Sequence, residues 1–91
     1  MYVIQEYSKQ QAKKLGVELR LSSNPKKKID VYKGNKKVAS IGATGYGDYA
    51  TFLKTKGKAY ADERRRLYKI RHKGEEKKIG SNGYYSWFLL W

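Results

Sequence analysis

Strict alternation at Val17-Glu18-Leu19-Arg20-Leu21 marks a half-buried strand. A second stretch puts Ile29 and Val31 on one face and Asp30 and Tyr32 on the other. Gly34-Asn35 follows as a two-residue hairpin turn, since both residue types tolerate positive φ. Residues 38–41 return along the hairpin. A two-residue loop pairs Val31 with Val38 and Ile29 with Ser40, which leaves Ile41 on the opposite face. Either a bulge near Ser40 repairs this or Ile41 packs elsewhere. Upstream, Ser8 with Gln11 three residues later has the form of a capping box, predicting a helix over 9–15 that Gly16 stops. Residues 22–25 carry a turn signal.

The second half reads as helical. After a glycine-rich connection over 42–47, Asp48 is placed to cap a short helix running to about Lys56, and Gly57 breaks it. A longer helix is predicted over 58–73, ending at Gly74. At about 100° per residue, Ala59, Tyr60, Leu67 and Ile70 share one stripe, with Glu63 and Arg71 on or near it. Arg65, Lys69 and His72 cluster on the far side, flanked by Arg66 and Lys73. Residues 75–83 read as a loop. Ser81 or Asn82 then caps a final short helix with Tyr84, Trp87 or Phe88, and Trp91 on one side. No repeat and no linker interrupts the chain, so residues 1–91 form a single small basic domain. The expected class is α+β: a three-stranded antiparallel sheet with two or three short helices packed on one face.

Charge changes the picture from fold to function. The chain has 21 Lys+Arg against 8 Asp+Glu, a net charge of +13. That excess repels itself and points to a polyanionic partner: nucleic acid, DNA ahead of RNA, or an acidic protein surface. Two basic patches are the candidate nucleic-acid contacts. One is the far side of the long helix: Arg65, Arg66, Lys69, His72 and Lys73. The other surrounds the hairpin: Lys26, Lys27, Lys28, Lys36 and Lys37, with Tyr32 as a ring on which a base stacks or which covers a helix. Arg64 reads differently, as a structural salt bridge to Glu63. The dense ending Trp87, Phe88, Leu89, Leu90 and Trp91 either completes the core or anchors in a partner through Trp87, Phe88 and Trp91.

Catalysis is not expected. The chain has no Cys, so a disulfide and a thiolate metal site are excluded. Its one histidine, His72, sits among Arg71, Lys69 and Lys73 with no carboxylate expected one turn away to orient it, and no zinc spacing or nucleophile–base pair is visible. The 42–47 stretch lacks the Gly-Lys-Ser/Thr ending of a phosphate loop and reads as a tight turn. No cofactor and no metal are therefore expected. No run of about 18 apolar residues is present, so no membrane span is expected. The N-terminal residues lack a basic-then-apolar leader, which suggests an intracellular protein.

The segment Gly42-Ala43-Thr44-Gly45-Tyr46-Gly47-Asp48, then Gly57, Tyr60-Ala61, Arg64-Arg65, Tyr68 and Arg71-His72 form one part of a wider pattern. Gly80-Ser81-Asn82-Gly83-Tyr84-Tyr85 and Leu90-Trp91 complete it. Together with the earlier Lys-Lys-Ile-Asp-Val hairpin, this pattern resembles small basic proteins of large nucleocytoplasmic DNA viruses of algae and amoebae, chlorella-virus and mimivirus-like. The resemblance covers most of the chain and carries no active site with it. It implies an infected cell, host nucleus or cytoplasm, or a virion, where such a protein condenses the genome or cements the capsid from inside. The resulting expectation is a non-enzymatic nucleic-acid-binding protein that contacts phosphates. The alternative is a minor capsid or scaffold structural protein that meets capsid proteins through its basic faces and aromatic C-terminus.

Overall fold

The structure, a computed structural model, describes residues 2–91. Met1, which opens the stretch read for a leader, lies outside them. Helix α1 covers Glu6–Leu15. Strands β1 (Glu18–Leu21), β2 (Lys27–Lys33) and β3 (Lys36–Ala43) follow, then α2 (Tyr49–Lys56), α3 (Lys58–Arg71), a single 3₁₀ turn at Glu75–Lys77, and α4 (Asn82–Leu89). The strands form one antiparallel sheet in the order β1-β2-β3. The class is α+β, as the sequence predicts. No helix among the described residues is long and apolar enough to cross a membrane.

The hairpin contains a bulge, displaced from its expected position. Lys33 pairs with Lys36 across Gly34-Asn35, and Tyr32 pairs with Lys37. The register then shifts so that Val31 meets Ala39, Asp30 meets Ser40 and Ile29 meets Ile41. Val38 is the extra residue, two positions nearer the turn than Ser40. The reason is packing on both faces. A bulge before Ala39 sends Ala39 and Ile41 to the side that buries Ile29 and Val31. It also leaves Ser40 opposite Asp30, where the Ser40 hydroxyl donates to Asp30 Oδ1 at 2.7 Å.

Ile29, Val31, Ala39 and Ile41 form the core with Ala12 of α1 and with Tyr85, Leu89 and Leu90 near the C-terminus. The capping-box reading at Ser8 is overturned. Helix α1 begins earlier, at Glu6, and its N-cap residue Gln5 makes no side-chain cap. Ser8 is buried, and its hydroxyl donates to the Leu89 carbonyl at 2.6 Å. That carbonyl belongs to the last turn of α4 and has no partner within the helix, so Ser8 satisfies a helix end, though not its own. Gly16 stops α1 in the left-handed region as expected, at φ 72°.

Asp48 caps α2 by accepting the Thr51 N–H at 3.0 Å, and Ser81 caps α4 by accepting the Tyr84 N–H at 3.1 Å. Helix α3 ends two residues before its predicted limit, and residues 75–83 hold the 3₁₀ turn and the start of α4 in place of a plain loop. Helix α4 packs on β3 and on α1, whereas α2 and α3 pack on each other. Tyr49 is one of the residues that join the α2–α3 pair to the rest. Its N–H donates to the Leu90 carbonyl at 3.0 Å, and its ring meets Tyr7 at 5.5 Å.

The faces of α3 depart from the hydropathy reading, although Leu67 is half-buried and Arg66 and Lys73 are exposed as expected. Ala59, Tyr60 and Ile70 are exposed, while Ala61 is fully buried. Arg64, Arg65, Tyr68, Lys69 and His72 turn toward the protein and are half-buried. Cations fill this inner face because aromatic rings receive them. The Arg65 guanidinium lies 3.4 Å from the Tyr49 ring centre, and the Lys69 ammonium 5.1 Å from that of Trp87. Such contacts favour burial of a charged side chain that hydropathy counts as polar.

Candidate nucleic-acid interface

An open cleft of about 380 Å³ lies between α3, the start of β2 and the glycine-rich connection. Helix α3 lines it with Arg64, Tyr68, Arg71 and His72, spaced by four, three and one residues and so carried on one side of the helix. Lys27 enters from β2, Tyr46 from the connection, and Phe52 and Trp91 close the floor. The connection lies flat on that floor because position 47 is glycine. A Cβ there would fall 2.3 Å from the Phe52 ring.

The cleft is cationic and aromatic. Among the described residues no carboxylate forms an ion pair with Lys27, Arg64 or Arg71. The expected pairing of Arg64 with Glu63 is absent because Glu63 pairs with Arg66 one turn along. Arg64 Nε is buried without a hydrogen-bond partner. Tyr68 is held between two rings, Trp91 at 4.7 Å and nearly parallel, and His72 at 4.3 Å. Burial and the nearby Glu75 carboxylate push the Tyr68 hydroxyl up to about 12, against a hydrogen bond from Ser86 that acts the other way. The ring therefore stays neutral at physiological pH. The expectation that His72 has no carboxylate one turn away is overturned: the turn after α3 brings Glu75 Oε2 to 2.8 Å from His72 Nδ1. Guanidinium and ammonium donors are chemically matched to anions, and a free ring face to another ring.

Beneath the cleft lies a buried polar node. The Lys28 ammonium, 6% exposed, donates to the Tyr46 carbonyl and pairs with Asp48 Oδ2 at 3.3 Å. The Tyr2 hydroxyl donates to the same oxygen at 2.8 Å. Lys28, read from sequence as a phosphate contact, is thus a structural residue. Lys28 also lines the cleft, but its ammonium is taken up by this node; Lys27 lines the cleft without an ion-pair partner among the described residues, and Lys26 is exposed.

The remaining sequence candidates do not gather at the cleft. His72 lines it, but Arg65 and Lys69 sit on Tyr49 and Trp87 as described. Burial, then the Arg65 charge, hold the Lys69 ammonium below its ordinary range. Arg66 is engaged by Glu63, and Lys73 and Lys36 are exposed. Lys37 stands 3.9 Å from Asp30. Tyr32 is not an open platform, because the Arg20 guanidinium lies 4.3 Å over its ring. The expected anchor residues pack inward: Trp91 on Tyr68 and Phe52, Phe88 on Tyr84, and Trp87 beside Tyr68. Leu89 and Leu90 are buried, so this segment completes the core.

Four cleft residues, Arg64, Tyr68, Arg71 and Tyr46, were not singled out as binding residues by the sequence reading. The signal for the first three was present as a helical spacing of four and three. It was hidden because apolar residues were assigned the inner face. Comparison of the chain with protein-family models, with curated proteins and with solved structures returns no match.

Proposed function

We propose that this chain is a non-enzymatic nucleic-acid-binding protein that holds its partner through phosphates, DNA ahead of RNA. One observation carries the reading: Lys27, Arg64 and Arg71 converge on one cleft without carboxylate partners, in a chain of net charge +13. An unpaired guanidinium at a concave surface is matched to phosphate by its fork of N–H donors. Exposed Lys26, Lys36 and Lys73 extend the positive field beyond the cleft. In the viral setting that the sequence resemblance implies, such a protein serves genome condensation.

The test is fluorescence anisotropy with labelled DNA and RNA oligonucleotides across about 50 to 300 mM salt. Each neutralised phosphate adds about 0.7 to 0.9 to the slope of log affinity against log salt. The expected slope is therefore about 2 or more, and Arg64→Gln with Arg71→Gln lowers it by about 1.5. Absence of binding at the lowest salt refutes the proposal. That result favours the second reading, a minor structural protein meeting capsid partners. Its support is the apolar surface that Leu53, Tyr60 and Ile70 leave exposed on the α2–α3 pair.

A further inference from the structure

Tyr46 is the exception among the aromatic side chains. Among the described residues, every other Tyr, Phe and Trp ring lies near a second ring or a cation. The Tyr46 ring touches neither and is 75% exposed at the lip of the cleft. Its backbone, in contrast, is tied down. Its N–H donates to the Ala43 carbonyl at 3.3 Å, and its carbonyl accepts from the buried Lys28 ammonium. Gly47 beside it presses on Phe52. A buried lysine is costly to keep, and here its hydrogen bond fixes the placement of a solvent-facing ring.

We infer that Tyr46 is a stacking platform and that the cleft takes an unpaired nucleotide of single-stranded nucleic acid. The base lies on the Tyr46 ring while Arg64, Arg71 and Lys27 receive the adjoining phosphates. This rests on the nucleic-acid reading above and narrows it. A duplex keeps its bases stacked on one another and offers a protein only their edges in the grooves. A free ring face beside cations is therefore matched to a base released from the duplex. Every base has a π-face, so the site discriminates strand state and is tolerant of sequence.

The experiment uses the full chain with three labelled ligands at fixed salt. These are an oligo-dT of about 12 nucleotides, an abasic backbone of equal length, and a duplex. Oligo-dT is expected to bind more tightly than the abasic strand and the duplex. Tyr46→Ala is expected to weaken oligo-dT binding by about 5-fold to 100-fold, the range for loss of one stacked base. The same change leaves abasic binding unaltered, and Tyr46→Phe restores oligo-dT binding to within about twofold. Arg64→Gln with Arg71→Gln weakens all three ligands. Far-UV circular dichroism of Tyr46→Ala, a change at an exposed ring, verifies the fold. If the abasic strand binds as tightly as oligo-dT, or if Tyr46→Ala matches the parent on oligo-dT, stacking is refuted while phosphate binding stands. If none of the three ligands binds, the broader reading falls with it.

Discussion

Replacing Asp48 by Ala removes three interactions at once: the cap of α2, the counter-charge of Lys28, and the acceptor for the Tyr2 hydroxyl. The Asp48 side chain is 2% exposed and that of Lys28 is 6%, so water does not replace what is lost. Loss of an N-cap costs about 1 kcal/mol. Breaking a buried ion pair by deleting one partner costs about 3–5 kcal/mol, because the other charge is left buried and unpaired. The terms overlap, and the expected loss is about 4 kcal/mol. A domain of this size has roughly 5–14 kcal/mol in total. At about 4–8 °C per kcal/mol, the melting temperature falls by roughly 16–32 °C. Asp48→Asn keeps an oxygen for the Thr51 N–H and is expected to cost about 1 kcal/mol less. Lys28→Met removes the other charge and leaves Asp48 buried with two donors, so its cost is about 3 kcal/mol, the lower end of the range for a broken buried pair. Urea titration followed by tryptophan fluorescence measures all three variants and the double variant Lys28→Met with Asp48→Asn. The pair is expected to couple by about 2 kcal/mol. Additivity of the two changes within about 0.5 kcal/mol, or a loss below about 1 kcal/mol for Asp48→Ala, refutes the account of this node.

Leu89→Ala empties a fully buried position in the core and is expected to cost about 2–5 kcal/mol by urea titration; deletion of residues 87–91 abolishes the cooperative transition altogether. Gly47→Ala drives a methyl into the Phe52 ring. It is expected to cost about 1–3 kcal/mol and to weaken oligo-dT binding, and a fully stable variant contradicts the packing described. Alkaline pH destabilises the fold. Burial and then an adjacent carboxylate, Asp48 for Tyr2 and Glu75 for Tyr68, raise both hydroxyls above the ordinary tyrosine value near 10. The unfolded chain therefore loses these protons first. Stability is complete below about pH 10 and falls as pH rises toward about 12, where Tyr68 titrates in the folded state. Melting temperatures measured from pH 8 to 12 are expected to show this decline, and a smaller one in Tyr68→Phe; a flat profile contradicts it.

Turn and cap chemistry was readable because it is local. Gly16, Asp48, Gly57 and Ser81 each act where a left-handed residue, a helix break or a short side-chain acceptor is needed, and the sequence neighbours settle the matter. Ser8 shows where local logic stops. Its spacing to Gln11 suits a cap, yet its hydroxyl serves a carbonyl 81 residues away. Lys28 shows the same for charge. In a run of three lysines, only the fold distinguishes the one facing Asp48 from the one facing the cleft. The bulge was legible as one of two ways to accommodate Ile41, but its place at Val38 goes with Ser40 meeting Asp30. The largest loss was on α3. Hydropathy ranks arginine and lysine outside, whereas Tyr49, Trp87 and Phe52, brought from other elements, make aromatic surfaces that accept them. The cleft was hidden for that reason.

The hydrogen bonds from Ser8 to Leu89 and from Tyr49 to Leu90 join early and middle segments to the last residues of the chain. During synthesis the helix and the hairpin emerge first, with Ile29, Val31 and Ile41 lacking the surface that covers them. Leu89 and Leu90 follow only after α2 and α3, and Trp91 then completes the stack on Tyr68. Contacts of such long sequence separation form late and slow folding relative to a bundle of local helices. Cover for the hairpin and part of the cleft lining thus come from the same short segment, so whatever loosens residues 89–91 disturbs both together.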